Sequence, residues 1–318
     1  MTRWTADDIP DLAGRRALVT GASSGLGLVT AAELARHGAD VLVAVRDRAK
    51  GESALAHIES VAAGRGSASL LDLDLADLGS VRAAAEQVSA SPLHLLVNNA
   101  GVMAIPRRET ADGFEMQLGT NHLGHMALAL LLLPALAAGG EARTPSRVVT
   151  VSSGAHRMGR IDIDDLMGER SYSPWKAYGQ SKLANLLFAF ELQHRLDTSG
   201  LPVASYAAHP GYAATNLQAV GPQMEGSSWK ARMMEVANRV LAQSAEMGAL
   251  PTLYAATVPG IPAGSYIGPD GAFEQRGYPR LVGTAPTARD LVMGERLWAA
   301  SEELVGVRFD DVVASIAR

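Results

Sequence analysis

The chain has no cysteine in its 318 residues, which excludes disulfides, thiolate zinc sites and a thiol nucleophile. It has no basic run either: 28 Lys and Arg stand against 33 Asp and Glu, a net charge of −5. A nucleic-acid partner would find no electrostatic footprint, so small molecules are the expected partners. Long apolar runs are missing as well. The longest, Met126 to Ala138, is 13 residues interrupted by Pro134, short of the ~20 needed to cross a bilayer, and is expected to be a buried helix. The opening segment, Met1 to Pro10, carries Asp7 and Asp8 and lacks the apolar core of a signal peptide, so a cytoplasmic location and no membrane span are expected. Repeats and low-complexity linkers are absent too, and residues 1–318 are expected to form one domain.

What is present is a large apolar fraction, 47%, with 19% charged residues, the balance of a folded globular chain. Arg16 to Thr20 is a short apolar strand that runs into Gly21-Ala22-Ser23-Ser24-Gly25-Leu26-Gly27 and then a helical pattern through Arg36. Strand, glycine turn, helix is how a backbone approaches a pyrophosphate at the positive end of a helix dipole. The spacing G-x-x-x-G-x-G is a relative of the dinucleotide fingerprint, not that fingerprint itself. A second strand, Asp40 to Val45, ends where such a unit chooses its cofactor. An acid there would hold a ribose 2′-hydroxyl; Val45 and Arg46 suit a 2′-phosphate instead, so NADP is expected over NAD. Asp47 reads as the N-cap of a helix over Arg48 to Val61.

Further strands are expected at Ser67 to Leu71, His94 to Val97, Arg147 to Val151 and Val203 to Ala208, with Ser265 to Ile267 as the last. In an open parallel sheet, ligands bind beyond the carboxyl ends of the strands. Asp74 and Leu75 are therefore placed toward adenine, and Asn98, Asn99, Ala100 and Gly101 beneath the ribose and nicotinamide. Ser153 faces the same crevice, and Pro210-Gly211 follows the sixth strand. His209 before that proline reads as a turn residue or a site residue. The segment Ala111 to Ala138 reads as one helix containing Asn121, His122 and His125; two histidines without a third ligand do not make a zinc site. Pocket-shaping segments are expected at 154–174 and 212–241. Asp162, Asp164 and Asp165 in the first read as a solvated loop or a cation site. Met224, Trp229, Met233 and Met234 in the second read as an apolar flap or as core packing. A last helix is expected over Ala288 to Val305.

The chemistry is expected at Trp175 to Asn185. Tyr178 and Lys182, four residues apart, share one helical face. A phenol titrates near 10, and a neighbouring ammonium favours the phenolate, so the pair can shuttle a proton.

Together Thr20 to Gly27, Asn98 to Gly101, Asn121, Ser153, Tyr178 with Lys182, and Pro210-Gly211 resemble the short-chain dehydrogenase/reductase family. The likeness is closest to its branch of retinol dehydrogenases, light-dependent protochlorophyllide reductases and WW-domain-containing oxidoreductases. It is carried by Thr110 to Glu115, Asn121 to His125 and Tyr178 to Asn185, and extends over about residues 14 to 305. The resemblance implies a doubly wound parallel α/β sheet of Rossmann type and an NADP(H)-dependent oxidoreductase interconverting a carbonyl and an alcohol. It implies Tyr178 as general acid or base, Ser153 as holder of the substrate oxygen, and Lys182 on the nicotinamide ribose, lowering the tyrosine pKa. Asn121 would anchor a water that relays protons to Lys182, and Gly211 and Thr215 would approach the nicotinamide and phosphates. Homodimers or homotetramers packed through the helices bearing Asn121 and Tyr178 are common in the family. Two other functions share these features: a non-catalytic NADP-binding sensor, and a nucleotide-sugar epimerase or dehydratase, whose glycine turn usually has a different spacing. The apolar Tyr212 to Leu241 stretch favours an apolar substrate.

Overall fold

Leu18 points to one face of the sheet and Ala17 and Val19 to the other, and this period of two, repeated from strand to strand, builds two separate cores. The computed structural model describes residues 3–212 and 243–317. Seven strands are parallel: β1 (Arg16–Thr20), β2 (Asp40–Val45), β3 (Ser67–Asp72), β4 (Leu95–Asn98), β5 (Ser146–Val151), β6 (Val203–Ala208) and β7 (Tyr266–Pro269). An antiparallel edge strand, β8 (Pro279–Leu281), completes the order β3-β2-β1-β4-β5-β6-β7-β8. Strands covered on both sides are apolar throughout, and all of β6 and Val41 to Val45 of β2 are buried accordingly.

Helices cover both faces. On the Val19 side, α1 (Gly25–Arg36) and α2 (Arg48–Ala62) contribute Leu34 and Ile58. On the Leu18 side, α3 (Leu78–Val88), α4 (Met116–Leu131), α5 (Leu133–Gly139) and α6 (Pro174–Ser199) contribute Val81, Leu128, Leu136 and Leu186. Later, α7 (Ala245–Thr257) adds Leu253 to the first side, and α8 (Leu291–Val305) adds Trp298 to the second. Helix α9 (Phe309–Ile316) follows, its Phe309 ring edge-on to Trp298 at 6.0 Å. Side-chain chemistry sets the boundaries. Asp47 caps α2 by accepting from Lys50 N at 3.2 Å, and Asp77 caps α3 by accepting from Gly79 N at 2.8 Å.

The single helix expected over Ala111 to Ala138 starts later and is broken. Thr110 N donates to Phe114 O at 2.8 Å in a turn, and the Glu115 carboxylate then caps α4 by accepting from Gln117 N and Leu118 N at 3.0 and 2.7 Å. Between α4 and α5 the axis bends by 56°, next to Pro134, which has no N–H to continue the ladder. Residues Gly119–Leu123 form a π-helical turn inside α4. Strand β8 and helix α9 were not expected from the sequence; β8 is three residues with two exposed, too short to show a pattern. Among the described residues no single helix is long and apolar enough to cross a membrane. Together α4 and α5 have the length and composition, but their residues lie almost entirely in the core.

From β1 the chain moves outward to β2 and β3, then returns to β4 on the other side of β1. That reversal opens a crevice beyond the carboxyl ends of β1 and β4.

Candidate functional site

A cleft of about 750 Å³ fills the crevice. Its floor is the glycine turn, where Gly21 and Gly25 adopt left-handed φ of 66° and 56°. A Cβ on Gly27 would lie 2.4 Å from Gly21 O and 2.5 Å from Asn99 Nδ2, so the turn closes only without a side chain there. Thr20 Oγ1 accepts from Asn99 N and Ala100 N at 2.9 and 3.0 Å, while Asn99 Nδ2 donates to Thr20 O at 2.8 Å. These bonds fasten the ends of β1 and β4 together. Ser23, Ser24, Gly25, Leu26 and Gly27 line the cleft, and no side chain caps α1. The first-turn N–H groups, which have no partner within a helix, are thus disposed toward an anion.

Arg46 at the end of β2 is exposed on the cleft wall and makes no hydrogen bond or ion pair with the described residues. Lys50, one turn into α2, lines the wall beside it, 3.5 Å from Asp47; the sequence reading missed it, although its i+4 relation to Arg46 was there to be seen. Asp74 and Leu75 line the cleft, with Asp74 Oδ1 accepting from Ala76 N at 2.9 Å. Ala100, Gly101, Pro210 and Gly211 line it too. Asn98 does not. It is the fully buried last residue of β4, its Nδ2 3.4 Å from Thr150 Oγ1, because strand alternation turns it into the sheet and leaves Asn99 at the cleft. Thr215, Met224, Trp229, Met233 and Met234 lie outside the described residues.

At the far end of the cleft three side chains converge. Ser153, just past β5, stands at the N-cap of a 3₁₀ turn, Gly154–Met158, where its Oγ accepts from Ala155 N at 3.2 Å. Its carbonyl is held by buried His156. Nε2 of that ring accepts from Ala285 N at 3.2 Å, so Nδ1 carries the proton donated to Ser153 O at 2.7 Å. Tyr178 is buried on α6, hydrogen-bonded to Ser153, with Trp175 edge-on at 6.1 Å. Lys182, one turn further, is buried and donates to Val151 O at 3.1 Å. The two elements meet backbone to backbone: a Cβ on Gly159 would lie 2.3 Å from Gly179 O, and one on Gly179 3.2 Å from Ala155 O.

Electrostatics correct one expectation. Burial raises the Tyr178 pKa, with the Ser153 hydrogen bond pulling the other way, and burial lowers Lys182 to about 8. The ammonium is 5.9 Å from the centre of the phenol ring, with one of its donors on Val151, and in the chain alone desolvation outweighs its pull on the phenol. Asn121 is held from both ends of its amide. Its Oδ1 accepts from Val102 N at 2.8 Å, and its Nδ2 donates to Val102 O and Ser181 Oγ, both at 2.9 Å. The side chain is buried, and these bonds tie Val102 to α6.

His122 and His125 are structural: His122 Nε2 lies 3.0 Å from Ser301 Oγ, and His125 bridges Asn121 O at 3.0 Å and Thr20 Oγ1 at 2.8 Å. In the 154–174 segment Asp165 accepts from Glu169 N at 2.9 Å and pairs with Arg170 at 3.7 Å, the behaviour of a loop acid. His209 proves to be a site residue, buried on the cleft wall with Nε2 3.2 Å from Glu274 Oε2. That approach is at ion-pair distance but poorly aligned for a hydrogen bond. Arg157, Phe273 and Glu274 complete this wall. The sequence offered no sign of them, since Pro259 to Gly277 reads only as a Gly- and Pro-rich connection.

Comparison with known proteins agrees with this geometry. A family profile described as short chain dehydrogenase matches residues 15–226. Polyprenol dehydrogenase of Mus musculus is 44% identical over 306 residues, covering 94% of this chain and 86% of that protein. Retinol dehydrogenase 12 of Homo sapiens is 40% identical over 303 residues, covering 94% and 89%. Among solved structures, an uncharacterised protein from Mycobacterium paratuberculosis superposes with a TM-score of 0.79 at 46% identity over 97% of this chain and 99% of that one. The RhlG/NADP active-site complex of Pseudomonas aeruginosa superposes with a TM-score of 0.64 at 25% identity over 83% and 98%.

Proposed function

From the premise that this chain belongs to the short chain dehydrogenase family, and so is a nicotinamide-dependent oxidoreductase, we propose that it uses NADP(H) to interconvert an apolar carbonyl compound and its alcohol. The observation that carries the reading is a single cleft with cations at one end, Arg46 and Lys50, and Ser153, Tyr178 and Lys182 at the other. The residues fit the cofactor: the side-chain-free contact at Gly27 and the uncapped start of α1 accommodate a pyrophosphate, and Arg46 is free to meet a 2′-phosphate.

The bound nicotinamide would supply or accept the hydride. Ser153 Oγ would donate a hydrogen bond to the substrate oxygen, where charge develops, and Tyr178 Oη would transfer the proton. Lys182 would hold the ribose and, joined by the oxidised ring's positive charge, offset the burial that raises the phenol. Asn121 would serve by fixing Val102 and Ser181 around this group. The apolar substrate is supported by Met103, Trp175, Tyr212 and Phe273 on the wall. The test is a panel of aldehydes, ketones and alcohols assayed by NADPH absorbance; cofactor binding without turnover of any of them would point to a sensor instead.

A further inference from the structure

The connection between β7 and β8 inverts the usual rule of burial. Phe273 is 93% exposed, whereas the carboxylate beside it, Glu274, is only 19% exposed. Both residues hold left-handed backbone, φ 53° and 57°, without being glycine. Such a pair persists only where its surroundings over-determine it. Here they do. Arg157 Nη2 donates to both Glu274 oxygens at 3.1 and 3.0 Å and to Gly283 O at 3.3 Å, and His209 stands 3.2 Å away on the other side. His209 first, then Arg157, pull the Glu274 carboxyl down to about 2, so it stays an anion. Tyr212 N also donates to Gln275 O at 2.7 Å. The corner is thus fastened to the 3₁₀ turn after Ser153 and to the end of β6, the two elements bordering the reaction end of the cleft.

What this fastening achieves is the position of one phenyl ring. Phe273 lines the cleft, as do Trp175, 48% exposed, and Tyr212, 37% exposed. A reacting carbon held at Ser153 and Tyr178 leaves the rest of its molecule to run past these rings toward solvent. We propose that Phe273 is a specificity-determining residue that grips the apolar chain of the substrate away from the reacting carbon, with Glu274 as the positioning residue that holds the ring there through Arg157 and His209. The identity of the ligand rests on the functional reading above; the grip itself is a matter of binding.

The test measures calorimetric affinity of the NADP⁺-saturated protein for n-alcohols from butanol to dodecanol, with turnover followed in parallel. Wild type is expected to bind more tightly with each added methylene. Phe273→Ser should lower the dodecanol-to-butanol affinity ratio by about tenfold, the scale of a lost phenyl contact. Phe273→Leu should restore most of that ratio, and Glu274→Gln should reproduce the serine variant's profile although its phenyl remains. An equal loss for short and long alcohols, or an unchanged ratio in Phe273→Ser, would overturn the proposal. A falling ratio without turnover of any alcohol would uphold the grip and count against the functional reading, which the panel of aldehydes and ketones then decides.

Discussion

Lys182 Nζ donates to the Val151 carbonyl at 3.1 Å, tying the helix that carries the phenol to the strand that leads into Ser153. Held there, the ammonium is desolvated, and its pKa falls from 10.5 to about 8. Folding therefore favours its neutral form. Between pH 10.5 and 8 the unfolded chain binds the proton more readily, so this group lowers stability as pH falls through that window, and the cost levels off below it. Lys182→Met is expected to melt higher than wild type at pH 7, with the difference shrinking toward pH 10.5, while NADP(H) affinity and turnover both drop. Calorimetric melts of the two proteins across that range decide it; a constant difference would mean that the ammonium carries no such strain.

Tyr178→Phe separates binding from chemistry. In the proposed reading the phenol moves the proton, so the variant is expected to bind NADPH nearly as wild type but to lose about 10²- to 10⁴-fold in hydride-transfer rate, the usual worth of general acid-base catalysis. Single-turnover absorbance with any substrate found active measures it. Wild-type hydride transfer in Tyr178→Phe would remove the residue from the mechanism.

Arg46 sets the cofactor preference in the proposed reading. A charge-assisted hydrogen bond contributes about 1.5 to 3 kcal/mol, so Arg46→Ala is expected to cost NADP⁺ on the order of 10- to 100-fold in affinity while sparing NAD⁺. Equal calorimetric affinities for the two cofactors in wild type would sink the claim. Lys50 stands on the same wall, and Lys50→Ala should deepen the loss.

Gly27→Ala forces a Cβ to within 2.4 Å of Gly21 O. The glycine turn must open, and in the proposed reading the thermal shift produced by saturating NADP⁺ is expected to disappear. Gly283→Ala is the control: nothing lies within 4 Å of its added Cβ, so stability should move by less than about 0.5 kcal/mol. A normal NADP⁺ shift in Gly27→Ala would show that the turn does not cradle the cofactor.

Two buried histidines predict the acid side of the stability curve. Burial depresses His122 to about 3 and His125 to about 4, so below the ordinary value near 6.5 the unfolded chain takes up protons that the native one does not. Stability is present above pH 6.5 and falls as pH drops toward 4, at about 1.4 kcal/mol per pH unit for each ring. His122→Gln should reduce that slope by one such step in urea unfolding at pH 5.5 and 4.5; an unaltered slope would place the proton uptake elsewhere.

The strands of the doubly wound sheet were legible because each is a run of apolar residues ending in small or polar ones, as Arg16 to Thr20 shows before Gly21. That the glycine turn, Ser153, Tyr178 and Lys182 would meet in one cleft was legible because their spacing repeats a family pattern. Asn98 was misplaced because Asn98 and Asn99 are identical as letters, and only the pleat of β4 decides which of them meets the cleft. The break before α5 hinged on Pro134, which reads equally as the first turn of a new helix or a kink in an old one. Arg157 and Glu274, 117 residues apart in sequence, are joined only by the fold, and no local pattern announces such a pair. The direction of the Tyr178 shift was missed because a sequence places Lys182 beside it but says nothing of how dry the site is.

The contact between Gly159 and Gly179 has a consequence for how such a site can diverge. With main chain pressed on main chain there, the spacing between the serine turn and the tyrosine helix has no side chain through which a point substitution could retune it gradually; any larger residue wedges the two apart. In the proposed reading the chemistry is thereby locked to one geometry. Variation has room on the outer wall, at Phe273 and Trp175, where a ring can be exchanged without moving any backbone that the reaction uses.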